Sequence, residues 1–302
     1  MSQRHIIYVP GKNPKPPSGH HREMLWLTLL EGVRREDPQI ASDLKRHADS
    51  FKLIAWNYIY YKSHEDHSDQ VRWIEALIKK KEPTERDIRE AKAWKHKLDK
   101  AIYKAIDQLP SLIQVLPRTA RLTAEELDRY FKNEDKIASQ VREQLKQALR
   151  PMLEEGHKVL LIGHSLGSVI AYDSLWALSQ LEHHPGKIDL FLTIGSPLGM
   201  NYVQKRLLGS NYKDHHKKYP ANIRNWVNIT AVGDITPLDR SLADDYKDML
   251  KPGMTESIKD YSKGIYNYFR NQNGLNFHRS YGYLVNPVVG KVIAQWWKDS
   301  AE

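Results

Sequence analysis

Short apolar runs alternate along this chain with segments in which apolar residues recur every three to four positions. HIIYV (5–9) is a candidate strand closed by Pro10-Gly11, and KNPKPPSG after it reads as a loop from its Pro and Gly content. Met24, Leu27, Leu30 and Val33 share one helical face, so residues 20–35 are expected to form a helix. FKLIAWNYIY (51–60) is the second strand candidate. The strand pattern resumes with KVLLIG (158–163), IDLFLTIG (188–195) and IRNWVNITAVG (223–233). A polar, irregular stretch then runs to about Asn276, and Val288 to Trp297 form a closing amphipathic helix. Five parallel strands are expected, with residues 281–285 a weaker sixth candidate. Strands alternating with helices predict an α/β fold, a mostly parallel sheet flanked by helices.

Residues 62–133 break the rhythm, with much helical pattern and no good strand. Thr84 with Asp87, and Thr123 with Glu126, have the spacing of helix-capping boxes, the second being the better match. Ile88, Ala91, Trp94, Leu98, Ile102, Ala105 and Leu109 follow the first at helical spacing. Leu127, Tyr130, Ile137, Val141, Leu145, Leu149 and Met152 follow the second as one helix leading into the next strand. The expectation is one domain over residues 1–302, carrying residues 62–133 as a helical insertion. That insertion is a candidate lid, with Trp73, Ile74, Trp94 and Leu98 offered to an acyl pocket.

Composition changes this picture little. A chain of 302 residues with 40% hydrophobic and 27% charged residues can bury a full core. No apolar run approaches the roughly 20 residues that span a bilayer, and no leader pattern opens the chain, so a cytoplasmic protein is expected. The absence of cysteine excludes thiol catalysis, disulfides and cysteine-held metal. Adjacent His183-His184 and His215-His216 lack ligand partners at fixed spacing, so neither metal nor another cofactor is expected.

Charge adds more. The formal net charge is +9, and six basic residues between Asn201 and Arg224 face the single Asp214. Lys12 and Lys15 form a second basic segment. Both are expected on one rim of the active-site mouth, where they would favour an anionic lipid surface or an anionic substrate. No basic–aromatic motif of a nucleic-acid reader is present, and no nucleic-acid partner is expected.

The strongest chemical signal is Gly163-His164-Ser165-Leu166-Gly167, a G-x-S-x-G pentapeptide between the apolar VLLI and the helical SVIAYDSLWALS. The pentapeptide alone says little; its strand–turn–helix context is what makes it specific. A serine at so sharp a turn adopts a strained backbone, and side chains two positions away would collide with the neighbouring strand and helix. Serine is a poor nucleophile unaided, and needs a histidine base and an orienting carboxylate. Asp234, directly past WVNITAVG, is the first choice of acid and Asp239 the second; Asp244, Asp245 and Asp248 read as a solvated face. The oxyanion donors are expected to be the N–H groups of Leu166 and of Lys12, with Asn13 second to Lys12. Gly11, Asn13, His164 and Trp94 are expected to contact substrate, Asp173 to be structural, and Ser196 to line the pocket or tie down a turn.

GHSLGSVIAYDSL, FLTIGSPLG and WVNITAVGDITP together resemble the lipase-like branch of the α/β-hydrolase superfamily. There, a W-x-N segment leads to the acid and a His-x-Ser-Tyr segment supplies the base, matched here by His278-Arg279-Ser280-Tyr281. The superfamily order is serine, acid, histidine. Of the 14 histidines, His278 is the only one beyond the strand candidate 223–233. The resemblance therefore implies an α/β-hydrolase fold with Ser165, Asp234 and His278 as triad, lacking the first two strands of a full sheet. It implies hydrolysis of carboxylic or lipid esters through an acyl-enzyme. The alternatives are acyl transfer by the same residues, or a catalytically silent module docking on anionic surfaces. GSVIAYD and GSPLG are also similar to intracellular phospholipases of the DDHD type, but the extra acidic residues of that family have no clear counterpart.

Overall fold

The computed structural model describes residues 3–65, 69–93, 118–236 and 241–301. Among these residues, six strands form one parallel sheet in the order β2-β1-β3-β4-β5-β6. The strands are β1 Arg4–Val9, β2 Phe51–Leu53, β3 Lys158–His164, β4 Ile188–Ile194, β5 Ile223–Ile229 and β6 Ser257–Tyr261. Successive side chains of β1 enter opposite cores: Ile6 and Tyr8 on one face, Ile7 and Val9 on the other. Val159 to Ile162 in β3 are wholly buried, as an interior parallel strand covered on both faces must be.

Helices α1 Ser18–Glu36 and α2 Pro38–Arg46 follow β1, and the short α3 Asn57–Tyr61 follows β2. The insertion contributes α4 Gln70–Lys79, α5 Glu85–Ala91 and α6 Arg118–Lys132. Then come α7 Ile137–Glu154, α8 Leu166–Trp176, α9 Ser280–Leu284 and α10 Pro287–Asp299. Helices α1 and α10 pack together over one face, while α7 and α8 cover the other. From β1 the chain passes to β2 on one side and later returns to β3 on the other. The carboxyl ends of β1 and β3 thus flank a topological switch point, where sites of α/β sheets gather.

Several expectations are corrected. The run 51–60 is a strand only as far as Leu53; the chain then leaves the ladder and coils into α3, with Trp56 and Tyr60 buried one helical turn apart. Residues 281–285 are not a strand, for Ser280–Leu284 is α9. The sixth strand is instead β6, SIKDY, inside the stretch expected to be irregular. Only Ile258 of that edge strand is buried, so no apolar run marks it. Thr123 lies inside α6 and does not begin it, whereas Thr84 and Asp87 do form a capping box on α5. The single helix expected up to Met152 is two, α6 and α7, parted where Asn133, Asp135 and Lys136 take positive φ.

The described parts of the insertion divide between the faces. Ile74 and Leu77 of α4 are absorbed by the core beside α1, with Trp73 packed against it, so Ile74 belongs to the core. Leu127 and Tyr130 of α6 join the opposite core. Trp94 and Leu98 lie outside the described residues.

Tyr130 reaches Asp173, a fully buried carboxylate on α8 that accepts hydrogen bonds from the Tyr130 hydroxyl and the Leu208 N–H, both at 2.9 Å. Burial raises its pKa from 3.8 to about 6. Between these values the folded state holds the proton that the unfolded chain has lost. The contribution to stability is therefore greatest below pH 3.8 and is lost as pH rises through 6. Asp173→Asn keeps the shape without the ionisation. Its stability relative to the wild type is expected to rise between these pH values and to level off about 2–3 kcal/mol higher, read by urea unfolding across pH. A flat difference would mean that Asp173 ionises normally.

Candidate active site

β3 ends at His164, and α8 begins two residues later at Leu166. Ser165 between them has φ 53° and ψ −129°, a backbone that costs a non-glycine residue roughly 1–3 kcal/mol. The neighbours leave little room for anything else. A Cβ on Gly163 would stand 2.6 Å from Ser168 Cα, and one on Gly167 2.2 Å from the carbonyl oxygen of Val9. The strained turn is tied down on both sides. Ser165 N–H donates to Ile194 O at 3.2 Å, and Ser165 O accepts from the N–H and hydroxyl of Ser168 at 2.9 and 2.6 Å. Ser196 Oγ is 2.7 Å from Ser168 Oγ and accepts from Leu198 N–H at 3.2 Å, so Ser196 secures this turn.

Asp234 follows β5 with its carboxylate fully buried. Oδ1 accepts from Thr236 N–H at 3.0 Å; Oδ2 accepts from the Tyr283 hydroxyl at 2.6 Å and stands 2.8 Å from His278 Nδ1. A carboxylate there assigns the imidazole proton to Nδ1 and leaves Nε2 as a base. The structure thus brings Asp234 and His278 together. Asp239 and Trp94 lie outside the described residues.

His278 is held from several directions. Its N–H donates to Asn276 Oδ1 at 3.0 Å, and its carbonyl accepts from His164 Nε2 at 2.8 Å. The two imidazoles lie 4.8 Å apart. Burial, with the positive charge of neighbouring groups, keeps His164 well below the usual histidine range, hence neutral and able to donate through Nε2. Offered as a substrate contact, His164 is found braced against the backbone of His278. Behind the acid–histidine pair lies Gly195, at φ +55°, where a Cβ would meet Asp234 Oδ2 at 3.0 Å and His278 Nδ1 at 3.1 Å. Gly195→Ala is expected to wedge that pair apart and to lose most activity while binding substrate normally, a split between kcat and KM that steady-state kinetics resolves.

On the other side of the serine, a Cβ on Gly11 would stand 2.9 Å from Ser165 Cβ, so the loop after β1 borders Ser165. Leu166, first residue of α8, has no intrahelical acceptor for its N–H. The Asn13 N–H is engaged, donating to the Tyr61 hydroxyl at 2.9 Å. Burial and the neighbouring Arg279 pull the Lys15 ammonium down to about 7. The basic segment 201–224 does not stay on one edge of the sheet. It runs from the end of β4 to the start of β5, and Arg224 pairs with Asp189 at the opposite, amino-terminal edge of the sheet.

Three contributors escaped the sequence reading: Gly195, Tyr283 and the bracing role of His164. The Tyr283 hydroxyl donates to Asp234 while accepting from Ala231 N–H at 3.0 Å, and so fixes the acid to the end of β5. The one sequence sign was an aromatic five residues past the histidine in HRSYGY. Tyr283→Phe is expected to cost about tenfold in kcat with KM little changed, since a hydrogen bond to a charged group is lost.

The described residues include no helix long and apolar enough to cross a membrane. No curated protein and no solved structure matches the chain. One protein-family model does, that of lipase (class 3), over residues 71–238. The match takes in Ser165 and Asp234 and ends before His278. It spans more than half of the 302 residues, and with the parallel sheet, the serine turn and the hydrogen-bonded acid–histidine pair it identifies the chain as a member of the class 3 lipases, within the α/β-hydrolase superfamily.

Proposed function

We propose that the protein hydrolyses carboxylic esters of lipid type through Ser165, His278 and Asp234. The observation that carries this is the pairing of buried Asp234 with half-buried His278 at 2.8 Å, at the same sheet edge as a serine whose backbone is held at positive φ. His278 Nε2 takes the Ser165 proton as Oγ attacks the ester carbonyl, and Asp234 stabilises the imidazolium that results. The tetrahedral oxyanion is met by the N–H groups of Leu166 and Lys12. Collapse expels the alcohol, which takes the proton from His278, and leaves Ser165 acylated. Water, deprotonated by His278, then releases the acid and restores the serine. A serine-reactive fluorophosphonate should label Ser165, and p-nitrophenyl esters should be turned over. Absence of both would end this reading.

The insertion serves in this proposal as a lid that shapes the acyl pocket. Its described ends stand on either side of the site. Ala91, closing α5, lies against Gly233 next to Asp234, and Glu126 of α6 accepts at 2.7 Å from the Tyr61 hydroxyl that holds Asn13. Trp94→Ala and Leu98→Ala are expected to change the preference between short and long acyl esters while sparing the reaction of Ser165 with a small fluorophosphonate. An unchanged chain-length profile in a folded variant would remove the insertion from substrate choice.

A further inference from the structure

A parallel sheet is ordinarily covered on both faces, yet part of this one borders a trench. Helix α10 carries two stripes. Val289, Ile293 and Trp297 are buried in the core that α10 shares with α1. Val288, Val292 and Trp296, one helical turn apart, line a cleft of about 500 Å³ between the helix and strands β4, β5 and β6. The sheet contributes Leu190 and Val227 to the same cleft. Its volume falls within the roughly 300–1,000 Å³ of small-molecule sites.

The charged groups of the cleft are unevenly matched. At the amino-terminal ends of the strands, Lys158 and Arg224 both reach Asp189, at 3.5 and 3.3 Å. Asp299 accepts from Gln295 Nε2 at 2.7 Å. Lys259 and Lys291 also line the cleft, one from the sheet and one from the helix, and both are exposed. Neither takes part in an ion pair among the described residues. Lys259 stands beside Val227 in the strand register, and Lys291 adjoins Val292, so the two unmatched cations border the apolar lining.

That combination suits a ligand with an alkyl chain and one anionic end. The strand backbones beneath are already paired, β4 with β5 and β5 with β6. A peptide laid on this face would leave its own amides unsatisfied, whereas an alkyl chain has none to lose. The wall from Val288 to Asp299 runs about 16 Å, long enough for one extended chain.

We propose that this cleft binds a free fatty acid, its chain against Leu190, Val227, Val292 and Trp296 and its carboxylate between Lys259 and Lys291. The cleft reaches the amino-terminal edge of the sheet at Lys158 and Arg224, while Ser165 follows the carboxyl end of β3. The inference is therefore independent of the chemistry proposed for Ser165.

Dodecanoate, titrated into the full chain by calorimetry below its micelle concentration, is expected to bind. Lys259→Glu combined with Lys291→Glu should weaken that binding about tenfold or more. The same double variant should gain affinity for dodecyltrimethylammonium, a cation of equal chain length that the wild type should bind far more weakly than dodecanoate. Both lysines are exposed, so the variant should unfold as the wild type does. Val292→Trp, which fills the trench and keeps both lysines, should also weaken dodecanoate binding. Absence of dodecanoate binding, equal affinity in the charge-reversed variant, or equal binding of cation and anion by the wild type would overturn the proposal. Binding of poly-L-glutamate that dodecanoate does not displace would give this face to an acidic protein partner and overturn it as well.

Discussion

Ser165→Ala is expected to abolish ester hydrolysis, a loss of about 10⁶-fold in kcat if the three residues act as a unit, and to block fluorophosphonate labelling. The fold should survive, and stability should if anything rise. The hydroxyl removed makes no structural hydrogen bond in the proposed role, and the turn is held by backbone groups and by Ser168 and Ser196. Unfolding curves and activity are thus expected to move independently. A variant that kept wild-type turnover would show that the nucleophile lies elsewhere.

The second large effect is expected at Asp234. In Asp234→Asn the amide oxygen takes the Oδ1 position, where Thr236 N–H demands an acceptor, and the NH₂ group falls where Oδ2 was, facing Tyr283 and His278. Tyr283 can accept from it; His278 must then accept as well. That puts the imidazole proton on Nε2, where it cannot receive one from serine, and kcat should drop about 10⁴-fold. Asp239→Asn should be mild. The reverse ranking, measured on the same ester, would transfer the orienting role to Asp239.

How much was legible follows from where each residue's partners lie. β3 and β4 declared themselves because a strand covered on both faces is apolar at most positions, and β5 through the buried Trp226, Val227 and Ile229 near its end. β6 did not, because this edge strand buries one residue in five and carries serine, lysine, aspartate and tyrosine on the rest. The run FKLIAWNYIY is equally apolar whichever way it folds. Where it coils, Trp56 and Asn57 bond the distant Pro10 and Gly11 carbonyls, and Trp56 and Tyr60 enter the core. Helix α2 had a local signal that went unused, Asp37 before Pro38, with the aspartate accepting from Gln39 and Ile40 N–H. The break between α6 and α7 contains neither Gly nor Pro; it is made by asparagine, aspartate and lysine in left-handed conformations. At the site, Ser165, Asp234 and His278 were chosen by chemistry and chain order, which a single sequence carries. Tyr283 meets Asp234 across 49 residues and Asn57 meets Gly11 across 46, and no local pattern encodes such encounters.

The packing of α1 on α10 also bears on how the molecule is made. Arg4 of β1 donates to the Trp297 carbonyl at 2.8 Å and lies 3.8 Å over its ring, and Trp297 Nε1 donates to Asp43 of α2 at 2.8 Å. The first strand and helices of the chain are thus roofed by the last helix. During synthesis they must wait, apolar faces open, for a helix that lies nearly 280 residues further along the chain, and even the β1–β3 pairing joins residues over 150 apart. Nascent chains stalled before α10 should therefore recruit chaperones and remain open to proteases, and should close into a protease-resistant body only when that helix clears the ribosome.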